Sequence, residues 1–185
     1  MQPTYDQTDP TSPAGSIPHW IDPVRETDLV ARRRTVHRTP ETGWAEFIAT
    51  ARAAEFFTSL GFKVMVGREF IDPIYVRGRS EAEVSESERL TGLCATFDTG
   101  HPGKTLAFRV ELDALKMNEP VDPDHIPYRE GFASERPGLM HACGHDGHQA
   151  VAFELGRFIV ANRDRLTGRI RFIFQPGEEG SRGAY

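Results

Sequence analysis

The chain has 185 residues, 22 of them basic and 27 acidic, for a formal net charge of −5 at pH 7, a length that suits one domain with a core of its own. The acidic balance and the lack of a clustered basic face argue against a nucleic-acid partner, and no apolar run approaches the roughly 20 residues needed to span a bilayer. With no recognisable signal peptide, Cys94 and Cys143 are expected as reduced thiols in a soluble, cytoplasmic protein rather than as a disulfide.

Residues 1–18 are rich in Pro, Thr, Ser, Asp and Gln and are expected to form a disordered tail, leaving 19–185 as the folded unit. Asp22-Pro23 is an N-cap followed by proline at the first helical position. It predicts a helix toward His37 on the loose apolar stripe Val24, Leu29, Val30 and Val36. Within it, Arg32-Arg33-Arg34 reads as a solvated face. A second helix is predicted after Thr39-Pro40-Glu41, with Phe47, Ala51, Ala54 and Phe57 or Leu60 at helical spacing and Gly61 placed to end it in a left-handed conformation. Phe62 to Val66 reads as a strand, and the charged region that follows as holding a short helix around Glu81 to Arg89. Thr91 to Phe97 and Thr105 to Leu112 are apolar, partly β-branched runs joined by Asp98-Thr-Gly-His-Pro-Gly103, which predicts a hairpin. Pro120, Pro123, Pro127 and Pro137 mark residues 114–139 as a long loop, and loops of that length in compact domains are usually functional. His148 to Ile159 has helical spacing, and Arg169 to Phe174 is a strand that opens into Gln175-Pro-Gly-Glu-Glu-Gly180. This order of elements predicts an α/β fold, a mixed sheet flanked by helices.

Chemistry concentrates in Met140-His-Ala-Cys-Gly-His-Asp-Gly-His148, which packs three imidazoles, a thiol and a carboxylate between glycines. Thiolate and neutral imidazole are the preferred donors for zinc and similar metals, so Cys143 and His145 are candidate ligands. They fall just ahead of or within the first turn of the predicted helix, whose positive end favours a thiolate. A self-contained zinc knuckle is disfavoured, because structural sites use two ligand pairs separated by roughly a dozen residues. A Cys-His nucleophilic pair is a further alternative, though two residues apart on a turn is poor geometry for it. Glu178-Glu179 follows a strand. Adjacent side chains diverge, so one can ligate while the other faces substrate; read alone, both are equally carboxylates favoured by a helix N-terminus. Glu111 and Asp113 close the strand before the long loop. One of them is expected to orient a ligand imidazole, with a plain turn role equally open. His37 and His125 are lone histidines.

Three ordered segments, Arg109-Val-Glu-Leu-Asp113-Ala-Leu, Met140 to His148 and Phe172-Ile-Phe-Gln-Pro-Gly-Glu-Glu-Gly180, resemble the M20 metallopeptidase and amidohydrolase family, in the branch of amino-acid N-acyl hydrolases. The resemblance runs from about His19 to the last residue. It implies Cys143, His145 and Glu179 as metal ligands, Glu178 as general base, and two divalent ions, zinc or manganese. The implied substrate is a small N-acyl or N-aroyl amino acid, aminobenzoyl-glutamate among them. In that family the catalytic domain continues further, supplies two more histidine ligands, and is interrupted by a domain that makes a homodimer or heterodimer. The 185 residues are therefore expected to hold the N-terminal part of such a catalytic domain, without the dimerisation domain. Glu111, Lys116 and Gly177 depart from the branch's usual Asp, Pro and Ala, and none of these removes a donor. The alternative to an enzyme is a non-catalytic fragment that binds metal or a partner.

Overall fold

A computed structural model describes residues 26–78, 90–180 and 183. The predicted tail, the Asp22-Pro23 helix start and the short helix around 81–89 lie outside the described residues. The elements, in chain order, are α1 (Glu26–His37), α2 (Phe47–Ser59), β1 (Lys63–Val66), β2 (Leu93–Asp98), β3 (Thr105–Glu111), a one-turn α3 (Ile126–Arg129), α4 (His145–Ala161) and β4 (Arg169–Gln175). Among the described residues no helix is long and apolar enough to cross a membrane.

The four strands form one mixed sheet in the order β1-β2-β4-β3, in which β4 runs antiparallel to β2 and parallel to β3. The expected hairpin is therefore not formed, because β4 lies between its two arms. β4 has the stronger claim to the sheet interior: Ile170, Phe172 and Phe174 all point to one face and are buried. In register they stand between Phe97, Ala95 and Leu93 on one side and Leu106, Phe108 and Val110 on the other. The turn-forming residues 98–103 instead wrap the start of β4. Thr99 N–H and hydroxyl both donate to Gly168 O, and Gly168 N–H donates to His101 O. This crossing needs two glycines, since a Cβ on Gly103 would sit 2.7 Å from the Gly168 nitrogen.

α2 and α4 cover that apolar face. α2 buries Ala49, Ala53 and Phe57, one turn apart each time. α4 buries Gln149, Ala152, Phe153, Gly156 and Ile159 at helical spacing. Phe57 sits at the centre, with its ring 4.9–5.9 Å from those of Phe62, Phe153, Phe172 and Phe174. α2 begins only at Phe47, several residues after Glu41. Trp44 interrupts with a φ of 63°, and the Glu41 carboxylate accepts from Ile48 and Ala49 N–H to close the helix end. Gly61 does adopt the left-handed conformation that ends α2 (φ 83°).

The arginine run on α1 is not a solvated face. Arg32 pairs with Glu154 and lies 4.7 Å over the Phe56 ring, Arg33 pairs with Asp146, and Arg34 pairs with Glu130 while lying over Phe132. These contacts dock α1 against α4 and the long loop.

Candidate metal centre

β3 and β4 run in the same direction, so their carboxyl ends open on one side of the sheet, where ligand chemistry collects in α/β folds. α4 starts there too, three residues earlier than the apolar spacing indicated, so that His145 is its first residue. Asp113 is fully buried just past β3, and Glu178 and Glu179 follow β4 by three and four residues.

These segments bring the predicted donors together. The ligand atoms of Cys143, His145 and Glu179 all lie within 4.8 Å of one another, and among the described residues theirs is the one such convergence of three His, Cys, Asp or Glu side chains. Glu178 borders the same space, its Oε2 3.6 Å from His145 Nε2. Cys143 is exposed and His145 buried, so the cluster faces outward from a rigid floor. Both cysteines are free thiols.

The imidazole is oriented from behind. His145 Nδ1 lies 2.8 Å from the Asp113 carbonyl oxygen, which can only accept, so the proton belongs on Nδ1. In the neutral ring Nε2 then carries the lone pair, and it faces Glu178 and Glu179. In the absence of a cation, burial disfavours the imidazolium, but the Asp113 side chain and carbonyl outweigh it and lift the pKa to about 9. Glu179, hydrogen bonded to Cys143, raises the thiol pKa, with burial and the Glu178 and Glu111 charges adding to it. A positive ion among these groups would reverse both tendencies.

The residues fit such an ion. Glu179 Oε1 is buried with no hydrogen-bond partner among the described residues, and so is Asp113 Oδ1, 3.5 Å from His145 Nδ1. Unsatisfied buried acceptors are costly unless something electropositive meets them, and thiolate, imidazole and carboxylate together suit zinc-like ions.

Both closing carboxylates of β3 serve imidazoles, where one was expected to. Residues two apart on an extended chain share a side, so Glu111 Oε2 meets His148 Nδ1 at 2.7 Å while Asp113 meets His145. Burial works against each anion. The imidazole bonds, with main-chain donors, nevertheless hold both below the ordinary carboxylate range.

Two features escaped the sequence. His37 is buried, with Nδ1 2.8 Å from Asp146 and Nε2 2.9 Å from Glu119. Carboxylates accept and do not donate, so the ring holds protons on both nitrogens. Burial opposes that charge, yet the two acids raise the pKa. Glu119 also binds His125, the other lone histidine. The chain thus ties α1, the loop and the start of α4 into one buried ionic chain behind the site. The second is Glu46, wholly buried, whose carboxylate accepts from Gly177 N–H and the Thr91 hydroxyl. Only its place in an otherwise apolar helix start hinted at it. His141, by contrast, is buried into neutrality, its pKa pushed down to about 4.

Residues 107–185, which span every donor in the cluster, match the family described as Peptidase family M20/M25/M40. The chain belongs to peptidase family M20. Within M20 it is 42% identical over 174 residues to a p-aminobenzoyl-glutamate hydrolase homolog of Haemophilus influenzae, a match covering 84% of this chain and 41% of that protein. It is 44% identical over 176 residues to the indole-3-acetyl-aspartic acid hydrolase of Enterobacter agglomerans, covering 85% of this chain and 40% of that one. The YXEP protein of Bacillus subtilis, described as a dinuclear metal binding peptidase from the M20 family, superposes with a TM-score of 0.63 at 29% identity, covering 83% of this chain and 36% of that one. The chain therefore spans about two-fifths of the length of the curated M20 relatives it matches.

Proposed function

We propose that this chain carries Cys143, His145 and Glu179 as ligands, and Glu178 as general base, of a dinuclear metal-dependent amidohydrolase that cleaves the amide bond of an N-acyl or N-aroyl amino acid. The observation that carries the reading is the convergence of a thiol, an imidazole and a carboxylate from two separate stretches of chain within 4.8 Å, with a second carboxylate beside them. Two divalent ions, zinc or manganese, would supply a Lewis acid for the amide carbonyl and bring the pKa of a water down toward about 7. The chain's own residues do the rest. Asp113 keeps the His145 proton on Nδ1 and its Nε2 lone pair free for ligation. Glu178 takes the proton of the attacking water on its carboxylate and returns it to the departing amide nitrogen.

The substrate class follows from what the two curated relatives are named for, p-aminobenzoyl-glutamate and indole-3-acetyl-aspartic acid. In both an aromatic acyl group is amide-linked to an acidic amino acid, and we assign that class here. Two free thiols suit a reducing compartment, which supports a cytoplasmic reaction. Three donors do not complete the coordination of two ions, so the reading requires further ligands that the described residues do not bring to the cluster. The same shortfall, together with the chain's share of its relatives' length, favours a second reading, a metal-binding or partner-binding chain without turnover.

Hydrolysis of p-aminobenzoyl-glutamate by the purified chain, with and without manganese, tests both readings. Glu178→Gln is expected to lower kcat by about 10²–10⁴-fold with metal content unchanged. No turnover with sub-stoichiometric metal selects the second reading. Turnover indifferent to chelators would transfer the chemistry to a Cys143 nucleophile and sink both.

A further inference from the structure

We infer that Glu46, 131 positions upstream of Gly177 in sequence, is a positioning residue that holds the 177–179 loop so that Glu178 and Glu179 face Cys143 and His145. The inference rests on the proposed roles of those two glutamates. Glu46 is the N-cap residue of α2, where an acidic side chain ordinarily accepts from its own helix's first amides. It makes no such bond, because Glu41 already closes the helix end with two of them. The Glu46 carboxylate turns outward from α2 instead. Its Oε1 accepts from Gly177 N–H at 2.7 Å and its Oε2 from the Thr91 hydroxyl at 2.5 Å. It has no exposed surface and, among the described residues, no ion pair with Lys, Arg or His. A buried carboxylate served only by neutral donors is an expensive way to cap a helix that is already capped. What it does accomplish is at the loop.

Gly177 has a φ of +61°, and the three amides from 177 to 179 are all taken by two buried carboxylates. Glu46 binds the first, and Asp113 binds those of Glu178 and Glu179, the latter at 2.7 Å. With its main chain bound to the interior in this way, the loop presents its two carboxylate side chains to the cluster. Remove Glu46 and the first of the three anchors goes, along with the tie to β2 through Thr91.

The test compares Glu46→Ala, Glu46→Asp and Glu46→Gln in the whole chain by amide hydrogen exchange without metal and by titration with cobalt, read by the thiolate absorption of Cys143. Gln keeps an acceptor at full reach, whereas Asp keeps the charge but falls short of Gly177. Exchange at 177–179 is expected to rise about tenfold or more in Ala and Asp and stay near wild type in Gln. Cobalt affinity is expected to fall about 10–100-fold in Ala and Asp only. Glu41→Ala, which removes the helix cap, should lower Tm while leaving loop exchange and cobalt affinity alone. Should Ala fail to fold, the Asp and Gln pair carries the comparison. Wild-type exchange and affinity in the Asp variant, or loss in Gln equal to that in Asp, overturns the inference. If wild type itself binds no cobalt, the metal reading falls, and loop exchange alone decides for or against Glu46.

Discussion

A carboxyl group placed where only neutral donors reach it changes its affinity for protons, and Glu46 shows by how much. Burial lifts its pKa from 4.5 to about 7, against the opposing pull of Thr91 and the main-chain amides, and the nearby Asp113 charge adds to the rise. The folded protein therefore holds this proton more tightly than the unfolded chain does. The associated stabilisation is complete below pH 4.5 and is lost as pH rises through about 7. Glutamine at the same place never ionises. In metal-free protein, the unfolding free energy of Glu46→Gln relative to wild type should thus improve by up to ~3 kcal/mol between pH 4.5 and pH 8. Urea unfolding at the two pH values measures it, and a difference that is flat with pH would mean Glu46 ionises in the fold without penalty. His37 acts in the same direction: its raised pKa gives a stabilisation complete below 6.5 and lost as pH rises through the folded value. Comparing the glutamine variant with wild type cancels that background.

At the scale of elements, helix positions were legible because each is set by its own residues, whereas strand order was not. The apolar faces of β2, β3 and β4 are interchangeable at the level of pattern. Only the row of Ile170, Phe172 and Phe174, every one of them buried, decides that β4 takes the centre. The donors Cys143, His145 and Glu179 could be picked out because each sits in a short local motif, but His37 could not, since its partners lie 82 and 109 residues away. The helix pair over the sheet offers a test of packing against propensity. Gly156 lies inside α4, where alanine would ordinarily gain about 1 kcal/mol. Its Cβ would meet the Phe57 ring at 3.0 and 3.2 Å, and Phe57 is fully buried among four other phenylalanines and cannot retreat. Overpacking of this kind costs about 1–3 kcal/mol, so Gly156→Ala is expected to lower stability on balance, as measured by urea midpoint. A stabilised variant would show that α2 and α4 separate freely, contrary to a close-packed core.

For the whole molecule, the proposed ion would join two parts of the chain that the sheet alone holds only loosely at their ends: the turn before α4 and the loop after β4. The acceptors left unmet at Glu179 Oε1 and Asp113 Oδ1 belong to those parts, as does the thiol that stays protonated beside Glu179. An ion that binds the folded chain and not the unfolded one stabilises it by about 2.7 kcal/mol at one hundred times its dissociation constant. For a chain of this length that corresponds to a rise in Tm of about 5–10 °C. Saturating zinc should produce that rise and a chelator should reverse it. Cys143→Ala and Glu179→Gln should each abolish the shift, because each removes a donor from the cluster. Glu178→Gln should keep the shift while losing turnover, which separates the base from the ligands. The arrangement fails as a metal centre if Glu179→Gln still responds to zinc as wild type does, since the ion would then be held somewhere that does not include the loop after β4.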